Sequence, residues 1–408
     1  MTVTRLRRVA AASCLVGALA SGEAAAQGID PADNAVVRMG PLAWTPSLSI
    51  PSLGYDTNIF NEARAPRRDF TANVQPAVDG WLRLGRVRVT VREQLNLMYF
   101  RRYASERALN NSTTLTGRVD FVWGSPHASV TFLRTKDRAD ARIDTRATIR
   151  SRPASAGIDF HLGRSVDVDL EATANRIAFD SRSSFGETSL SSALDRNSRG
   201  YRGTIRYAVT PPTTLSLRVA RQEEEFSVPS PQDNVTLRVI PGIALSPDAL
   251  ITGDLQVGWL SFKPNDPAVP TSDIVIAAGN LAYVFLGVTR LQLSVNRDVV
   301  PSIETTTKYA VQSSYTGTIT HRVSDRWDIT ATGSHLRLDF GQVASRVGST
   351  STESRADTVR TFGGGLGVYF SRGLRVGVRA ESMTRKSALP LGNYDNVRVM
   401  CSVSYTRR

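Results

Sequence analysis

The sequence predicts an all-β chain, an antiparallel up-and-down transmembrane β-barrel of about eighteen strands, within a range of roughly sixteen to eighteen. Three observations predict it: a two-residue alternation of apolar and polar side chains, an export signal at the N-terminus, and connections that alternate between tight turns and longer polar loops. Val87, Val89, Val91, Leu95, Leu97 and Tyr99 make one stripe, interrupted only by Glu93, while Arg88, Thr90, Arg92, Gln94 and Asn96 make its reverse. Successive side chains of a strand point to opposite faces, so this segment has one apolar and one strongly polar surface. A soluble sandwich also alternates, but so many long strands behind an export signal fit lipid outside and water inside.

The first residues carry the export signal. Arg5, Arg7 and Arg8 form a basic n-region, Val9 to Ala20 a short apolar run, and Ala24-Ala25-Ala26 the small residues before a cleavage site. Residues 1–26 are therefore expected to be a signal peptide cleaved near Ala26, with the mature chain destined for the cell outer membrane. Cys14 does not make a lipoprotein site, because Ala11-Ala12-Ser13 lacks the usual leucine-type residue. No later run approaches the ~18 apolar residues of a spanning helix. The mean hydropathy of −0.19 is what averaging an alternating barrel strand produces.

Composition narrows the chemistry. Cys401 alone remains after processing, so neither an intramolecular disulfide nor a cysteine metal site is available. The formal charge is +13, and the signal removes three positive charges and one negative, leaving +11. Only Lys136, Lys263, Lys308 and Lys386 are lysine; every other basic residue is arginine. These residues are scattered through turns, loops and strand faces, which argues against a nucleic-acid partner, whose recognition needs one basic patch or helix.

Residues 27–44 read as an irregular lead-in containing Pro31 and Pro41, and the barrel as 45–408. Short turns are expected at Gly85, Gly124-Ser125-Pro126, Gly163-Arg164, Pro211-Pro212, Ser246-Pro247-Asp248, Gly287, Ser324-Asp325 and Ser371-Arg372-Gly373. Longer loops fall near 57–69, 104–111, 138–149, 179–196, 227–232, 263–272, 299–306, 343–356 and 386–393. Short turns interleaved with longer loops place both termini at the short-turn, periplasmic end. Further lipid-facing stripes include Thr113, Leu115, Val119 and Trp123; Val166, Val168 and Leu170; Tyr201, Ile205 and Tyr207; and Val397, Val399 and Val403. Phe362-Gly363-Gly364-Gly365-Leu366-Gly367 is read as strand glycine, since no helix follows to bind phosphate. The last strand departs from many bacterial barrels, since Tyr405 is followed by Thr406, Arg407 and Arg408 rather than ending the chain.

Gly54-Tyr55-Asp56-Thr57-Asn58-Ile59-Phe60 closes the first strand. It resembles the G-Y-D-x-N-[IVL]-[FY] element near the mature start of the β-barrel porin-2 group, outer-membrane barrels associated with exopolysaccharide production loci. The strand-and-turn layout from about 45 to 408 is similar to that group as well. The resemblance implies an outer-membrane barrel and a link to exopolysaccharide, and it carries over no catalytic residue. Asp56 and Asn58 suit a turn in which side-chain oxygens accept backbone N–H groups; lining a pore mouth or binding a cation is the alternative.

An eighteen-stranded barrel is wide enough for an aqueous channel unless loops fill it. Arg83, Arg88, Arg92, Arg118, Arg202, Arg206, Arg218, Arg375, Arg379 and Arg398 take the inward parity, with Asp120, Asp167, Asp169, Glu171 and Glu381 as acidic counterparts. Arginines on strands 2 to 4 would form a basic ladder able to pair with carboxylates or sulfates of a passing anionic polymer; pairing among themselves, as Arg92 with Asp120, would instead brace the interior. His127, His161, His321 and His335 show no metal-ligand spacing, and no paired serine or acidic constellation is evident around His335, so no catalytic residue, metal or cofactor is expected. His335 is the histidine nearest the outer loops. The function expected is a pore or accessory protein for exopolysaccharide export. A general diffusion porin for small solutes comes second, and a structural or enzymatic barrel with a filled lumen third. The partners expected are outer-membrane lipid, the barrel assembly machinery, an anionic polysaccharide and periplasmic export components, with the barrel monomeric or trimeric.

Overall fold

A computed structural model describes residues 31–138, 144–185, 188–228, 232–247, 249–267, 270–302, 309–340, 355–370, 373–388 and 392–405. The expected signal peptide and the segment after Tyr405 lie outside the described residues. The strands are β1 Leu42–Asp56, β2 Asp69–Leu84, β3 Val87–Phe100, β4 Ala108–Val119, β5 Gly124–Arg138, β6 Arg146–Ser151 continued by Ala154–Leu162, β7 Val166–Phe179, β8 Arg196–Thr210 and β9 Thr213–Phe226. They continue as β10 Asn234–Leu245, β11 Ile251–Pro264, β12 Ser272–Phe285, β13 Thr289–Pro301, β14 Tyr309–Arg322, β15 Trp327–Asp339, β16 Ala356–Tyr369, β17 Leu374–Lys386 and β18 Tyr394–Tyr405. The two pieces of β6 keep one register against β5, from Leu133↔Ser151 to Val130↔Ala154, and the break falls at Pro153, which has no N–H to donate.

Each strand pairs antiparallel with its neighbours in sequence, and β1 pairs with β18 from Leu48↔Tyr405 to Asp56↔Arg398, closing an eighteen-stranded barrel. At this seam β1 bulges between Ile50 and Leu53, where Pro51 sits. Gly54 follows the bulge, and a Cβ there would lie 2.1 Å from the Val399 carbonyl oxygen, so only glycine fits against β18.

Eight connections are two to five residues long and nine are seven to sixteen, in strict alternation, so the barrel has a short-turn end and a long-loop end. Gly85, Gly163 and Gly287 supply left-handed φ values of 59°, 77° and 72° in three of the short turns. The lead-in is more regular than its prolines suggest. Pro31–Asn34 form a 3₁₀ turn, and Val37–Met39 pair with Leu42–Trp44 of β1. They occupy the edge of β1 that β18 leaves free, because β18 pairing stops at Leu48.

Contacts that skip strands identify the inner face. Arg118 on β4 reaches Asp159 on β6 at 3.1 Å, and Arg218 on β9 reaches Gln256 on β11 at 3.2 Å. Such chords are short only on the concave side, so the polar parity faces the lumen. The outer parity holds the exposed apolar residues, among them Val91, Leu97, Tyr99, Leu115, Ile205, Leu293, Val378 and Val399. Glu93, the one charge in that first stripe, accepts hydrogen bonds from Asn111 at 2.7 Å and from Thr113. Its carboxylate is thus capped by neighbours on the same face, which lowers the cost of facing lipid.

The apolar clusters lie inside rather than outside. Pairing of β12 with β13 ends at Ala277↔Arg297, and beyond it the end of the β13–β14 hairpin leaves the wall. Tyr309 and Val311 then pack against Ile240, Leu260, Phe262, Ile274 and Ile276, which line the inner wall of β10 to β12. The other side of the same hairpin, Val300 and Ala310, packs on Leu338 and Phe340. A second insertion comes from the loop after β7, whose short helix Leu190–Leu194 buries Leu190 and Leu194 against Ala147.

Candidate functional site: an arginine-lined lumen with a narrowed mouth

All ten arginines assigned to the lumen by parity lie on the inner face. Arg83, Arg88 and Arg118 stand directly opposite one another across β2, β3 and β4, which is the ladder the alternation suggests. The ladder is not free charge. Arg83 contacts Asp33 at 3.5 Å, Arg88 contacts Asp120 at 2.8 Å, and Arg118 bridges Asp120 at 2.8 Å and Asp159 at 3.1 Å. Arg92 pairs with Asp79 at 2.6 Å, not with Asp120. The reason is register: Arg92 lies opposite Asp79, whereas Asp120 lies past the end of β4, nearest Arg88 and Arg118. On the far wall Arg375 grips Asp328 through two bonds of 2.7 and 2.6 Å. Arg379 reaches Glu381 at 3.3 Å, and Arg398 holds Asp56 at 2.9 Å and Glu381 at 3.5 Å.

The inner face of β8 to β10 is different. Arg202 pairs with Glu171 at 2.6 Å and Arg206 with Asp159 at 3.5 Å, while Arg218 has only the Gln256 amide at 3.2 Å. Arg218 is 9% exposed, and Arg202, Arg206 and Arg218 crowd one another around Asp169 and Thr204. Two residues continue the column towards the mouth. Arg196 lies 3.8 Å from Glu224, and Arg238 lies 2.8 Å from Asp298 of the inserted hairpin. The Nε groups of Arg196, Arg202, Arg218 and Arg238, with the hydroxyls of Thr204 and Thr236, are buried without a hydrogen-bond partner. A column with surplus donors favours ligands that bring oxygen acceptors, because each unmatched buried donor carries a desolvation cost of about 1–3 kcal/mol. Arg196 and Arg238 were missed by the sequence reading, although their even positions in β8 and β10 put them on the same parity as Arg202 and Arg218.

Further round the lumen wall, the middle of β13 to β15 presents neutral acceptors and donors. Gln292, Ser294 and Asn296 lie opposite Thr318, Thr316 and Ser314, which lie opposite Thr332, Ser334 and Leu336. The run of glycines is part of this wall: Gly363, Gly365 and Gly367 on β16 face Thr332, Thr330 and Asp328. These glycines allow close approach: a Cβ at Gly367 would lie 2.3 Å from the Arg375 guanidinium, and one at Gly365 2.7 Å from the Val378 carbonyl oxygen.

The structure places the four histidines apart from one another. One nitrogen of His127 and oxygens of Asp159 and Asp169 lie within 4.8 Å of one another. The Asp159 carboxylate already serves both Arg118 and Arg206, so a divalent cation there would meet two guanidinium charges at that carboxylate. His161 pairs with Asp167 at 2.7 Å at the short-turn end, and His321 contacts Thr289 on the outer face at 2.8 Å. His335 lies on the outer face opposite Tyr315 and Arg360, so it does not address a cleft among the loops.

The long-loop end is narrowed by segments that reach inward. In the motif segment, Asn58 N–H donates to Asp56 Oδ1 and Glu62 N–H donates to Asn58 Oδ1, each at 2.9 Å. This is the turn geometry expected of Asp56 and Asn58, and it leaves Asn58 and Ile59 almost fully buried. Arg138 and Arg146 both donate to the Ile59 carbonyl, at 2.7 and 3.1 Å, and Asn61 donates to Asp144 at 3.1 Å. Asp144 in turn lies 3.6 Å from Arg385 on β17, so the residue that anchors the first loop also reaches a wall strand beyond the seam. Phe60 stacks edge-on with Tyr103, Arg67 covers its face at 4.0 Å, and Tyr55 and Gly54 remain in β1.

A closed eighteen-stranded barrel with an apolar exterior and a charged interior is the build of an outer-membrane porin. The family described as "Putative beta-barrel porin 2" matches residues 30–407, and the chain belongs to that family. The protein is accordingly an outer-membrane β-barrel porin. Among solved structures it is similar in fold to the outer membrane protein opdK from Pseudomonas aeruginosa, with TM-score 0.50, 9% identity, and 89% of this chain and 98% of that one covered. It is similar also to Pseudomonas aeruginosa OpdO, with TM-score 0.50, 12% identity, and coverage of 89% and 96%. No curated protein sequence matches the chain significantly.

Proposed function

We infer that this porin is an anion-preferring pore that supports export of an acidic exopolysaccharide. The observation that carries the reading is the column Arg196, Arg202, Arg206, Arg218 and Arg238, in which the Nε donors of Arg196, Arg202, Arg218 and Arg238 are buried without an acceptor among the described residues. Rings and columns of arginine favour anions, and the planar guanidinium matches carboxylate or sulfate groups spaced along a polymer. The ladder of threonine, serine and asparagine suits a chain of hydroxyl groups sliding past. In this reading the long loops face the outside and both termini face the periplasm. The polymer reaches the short-turn end from periplasmic export components, and the assembly machinery inserts the barrel. Membership of a porin family supports transport without catalysis.

A general diffusion pore for small solutes is the second reading, favoured by the inserted β13–β14 hairpin, which narrows the bore. Single-channel conductance of the refolded barrel in a planar bilayer, with an anionic polysaccharide on one side, separates the two. Conductance steps blocked by the polymer and relieved in Arg218→Gln support the export reading. Steps indifferent to polymer support the small-solute pore, and a folded barrel without conductance overturns both.

A further inference from the structure

The outer face should be apolar, yet at the long-loop end of β5 to β9 it carries a band of arginines. Arg134 on β5 lies directly opposite Arg150 on β6. Arg152 follows on β6, with its N–H bonded to the carbonyl of Arg176 on β7, and Arg199 comes next on β8. Arg221 on β9 completes the band, lying opposite the outward Tyr201. All six are exposed and lie within six residues of the long-loop end of their strand.

Their state of pairing sets them apart from the lumen arginines. Among the described residues the guanidinium groups of Arg134, Arg150, Arg152 and Arg199 make no hydrogen bond or ion pair, and Arg176 lies within electrostatic reach of Asp195. Among the described residues within β5 to β9, the outward acids are Glu223, which pairs with Arg221 at 2.6 Å and lies opposite Arg199, and Glu225, opposite Asn197. Like charges directly opposite each other on a sheet are destabilising. Arg134 and Arg150 therefore ask for an anion between them, and beside lipid the demand is stronger than in water.

Two further observations say what brings the anion. Tyr201 is 74% exposed on the same surface, as an aromatic is at the headgroup level of a membrane. On the short-turn side of Arg199 and Arg221 runs an outward groove lined by Leu170, Ala172, Gly203, Val219 and Leu237. Gly203 and Ala172 make it shallow enough for an alkyl chain to lie against the wall. A polar head on the arginines and a chain in the groove describe one molecule.

We propose that the outer face of β5 to β9 binds a multi-acyl membrane lipid bearing at least two phosphate groups. The arginines from β5 to β8 span three strand spacings, roughly 14 Å, which is more than one phosphate covers. Each guanidinium offers a bidentate fork to phosphate oxygens. The proposal rests on the membrane-spanning barrel alone and not on the export reading, since these residues face away from the lumen.

Native mass spectrometry of the full barrel tests it, with diphosphoryl lipid A, monophosphoryl lipid A and phosphatidylcholine as probes. The diphosphoryl lipid is expected to be retained, the monophosphoryl form several-fold less, and phosphatidylcholine not at all. Arg150→Gln/Arg152→Gln/Arg199→Gln should reduce retention at least tenfold, with unchanged conductance and an unchanged shift between heated and unheated gel mobility. Equal retention by that folded variant overturns the proposal. The lipid series on the unaltered barrel decides independently: phosphatidylcholine held as well as the diphosphoryl lipid overturns the phosphate site, and equal retention of both phosphorylated forms overturns the requirement for two phosphates.

Discussion

Arg238 on β10 holds Asp298 on β13 at 2.8 Å, across the two strands that separate them in the wall. The pair ties the inserted hairpin to the side from which the arginine column rises. Asn234 strengthens it by donating to the Tyr309 hydroxyl at 2.9 Å, while Tyr309 donates to the Gln232 carbonyl. Replacing Arg238 by Gln leaves the buried Asp298 carboxylate without this charged partner, a loss of roughly 1–3 kcal/mol between the surface and buried limits. The hairpin should then sample positions off the wall, raising single-channel conductance and its noise. Unchanged traces would mean that the apolar contacts alone hold it. Phe262→Ala tests those contacts, and removal of this buried ring should cost about 3–5 kcal/mol of hairpin docking, read as faster proteolysis at the long-loop end.

Among the described residues Arg218 donates to the amide oxygen of Gln256 rather than to a carboxylate. Arg218→Gln removes one charge from a cluster with Arg202 and Arg206, so the reversal potential in a salt gradient should move towards cations. Block by an anionic polymer should weaken roughly twofold to fivefold, the yield of one partly screened charge. Arg92→Gln, whose charge Asp79 already neutralises, should move the reversal potential less.

Asp120 makes the short-turn end acid-sensitive. Burial opposes its ionisation, but hydrogen bonds from Arg118 and Ser125 and the charge of Arg88 outweigh burial and hold its carboxyl below the ordinary aspartate value. A depressed folded value means that its stabilisation is complete above the unfolded value and is lost as pH falls through the folded one. Hydrogen exchange at 119–125 should accelerate below about pH 4. Asp120→Asn should show the faster exchange at neutral pH and no acid step.

Gly54 sits where β1 meets β18 with no room for a side chain. Gly54→Val should abolish closure, read as loss of the mobility difference between heated and unheated samples on a gel. Gly117 has open space where a Cβ would go, so Gly117→Ala should close normally.

What the sequence made legible follows from the period of a strand. Parity assigned inside and outside correctly wherever a strand stays in the wall, so the stripes at Val87 to Tyr99 and the inner positions of Arg202 and Arg375 were readable. Tyr309 and Val311 were not, because their parity is that of lipid-facing residues. They are buried against the inner wall because β13 and β14 leave the sheet past Arg297, and an apolar side chain reads the same whether it meets lipid or an apolar lumen wall. The contact of Asp144 with Arg385 was equally hidden, since loop residues carry no period. Pairing of each lumen arginine was also beyond reach, as it depends on register, which put Arg92 beside Asp79.

The seam has a consequence for biogenesis. Among the described residues Asp56 finds its ion-pair partner in Arg398, so the first strand of the barrel waits for the last. A chain interrupted before residue 394 would be a curved sheet with two bare edges, neither able to shed its unpaired N–H and C=O groups into hydrocarbon. Insertion is therefore all-or-nothing. Quality control is written into the order of the strands: a nascent copy missing its final segment cannot settle in the bilayer, and stays available for degradation instead of becoming a leak.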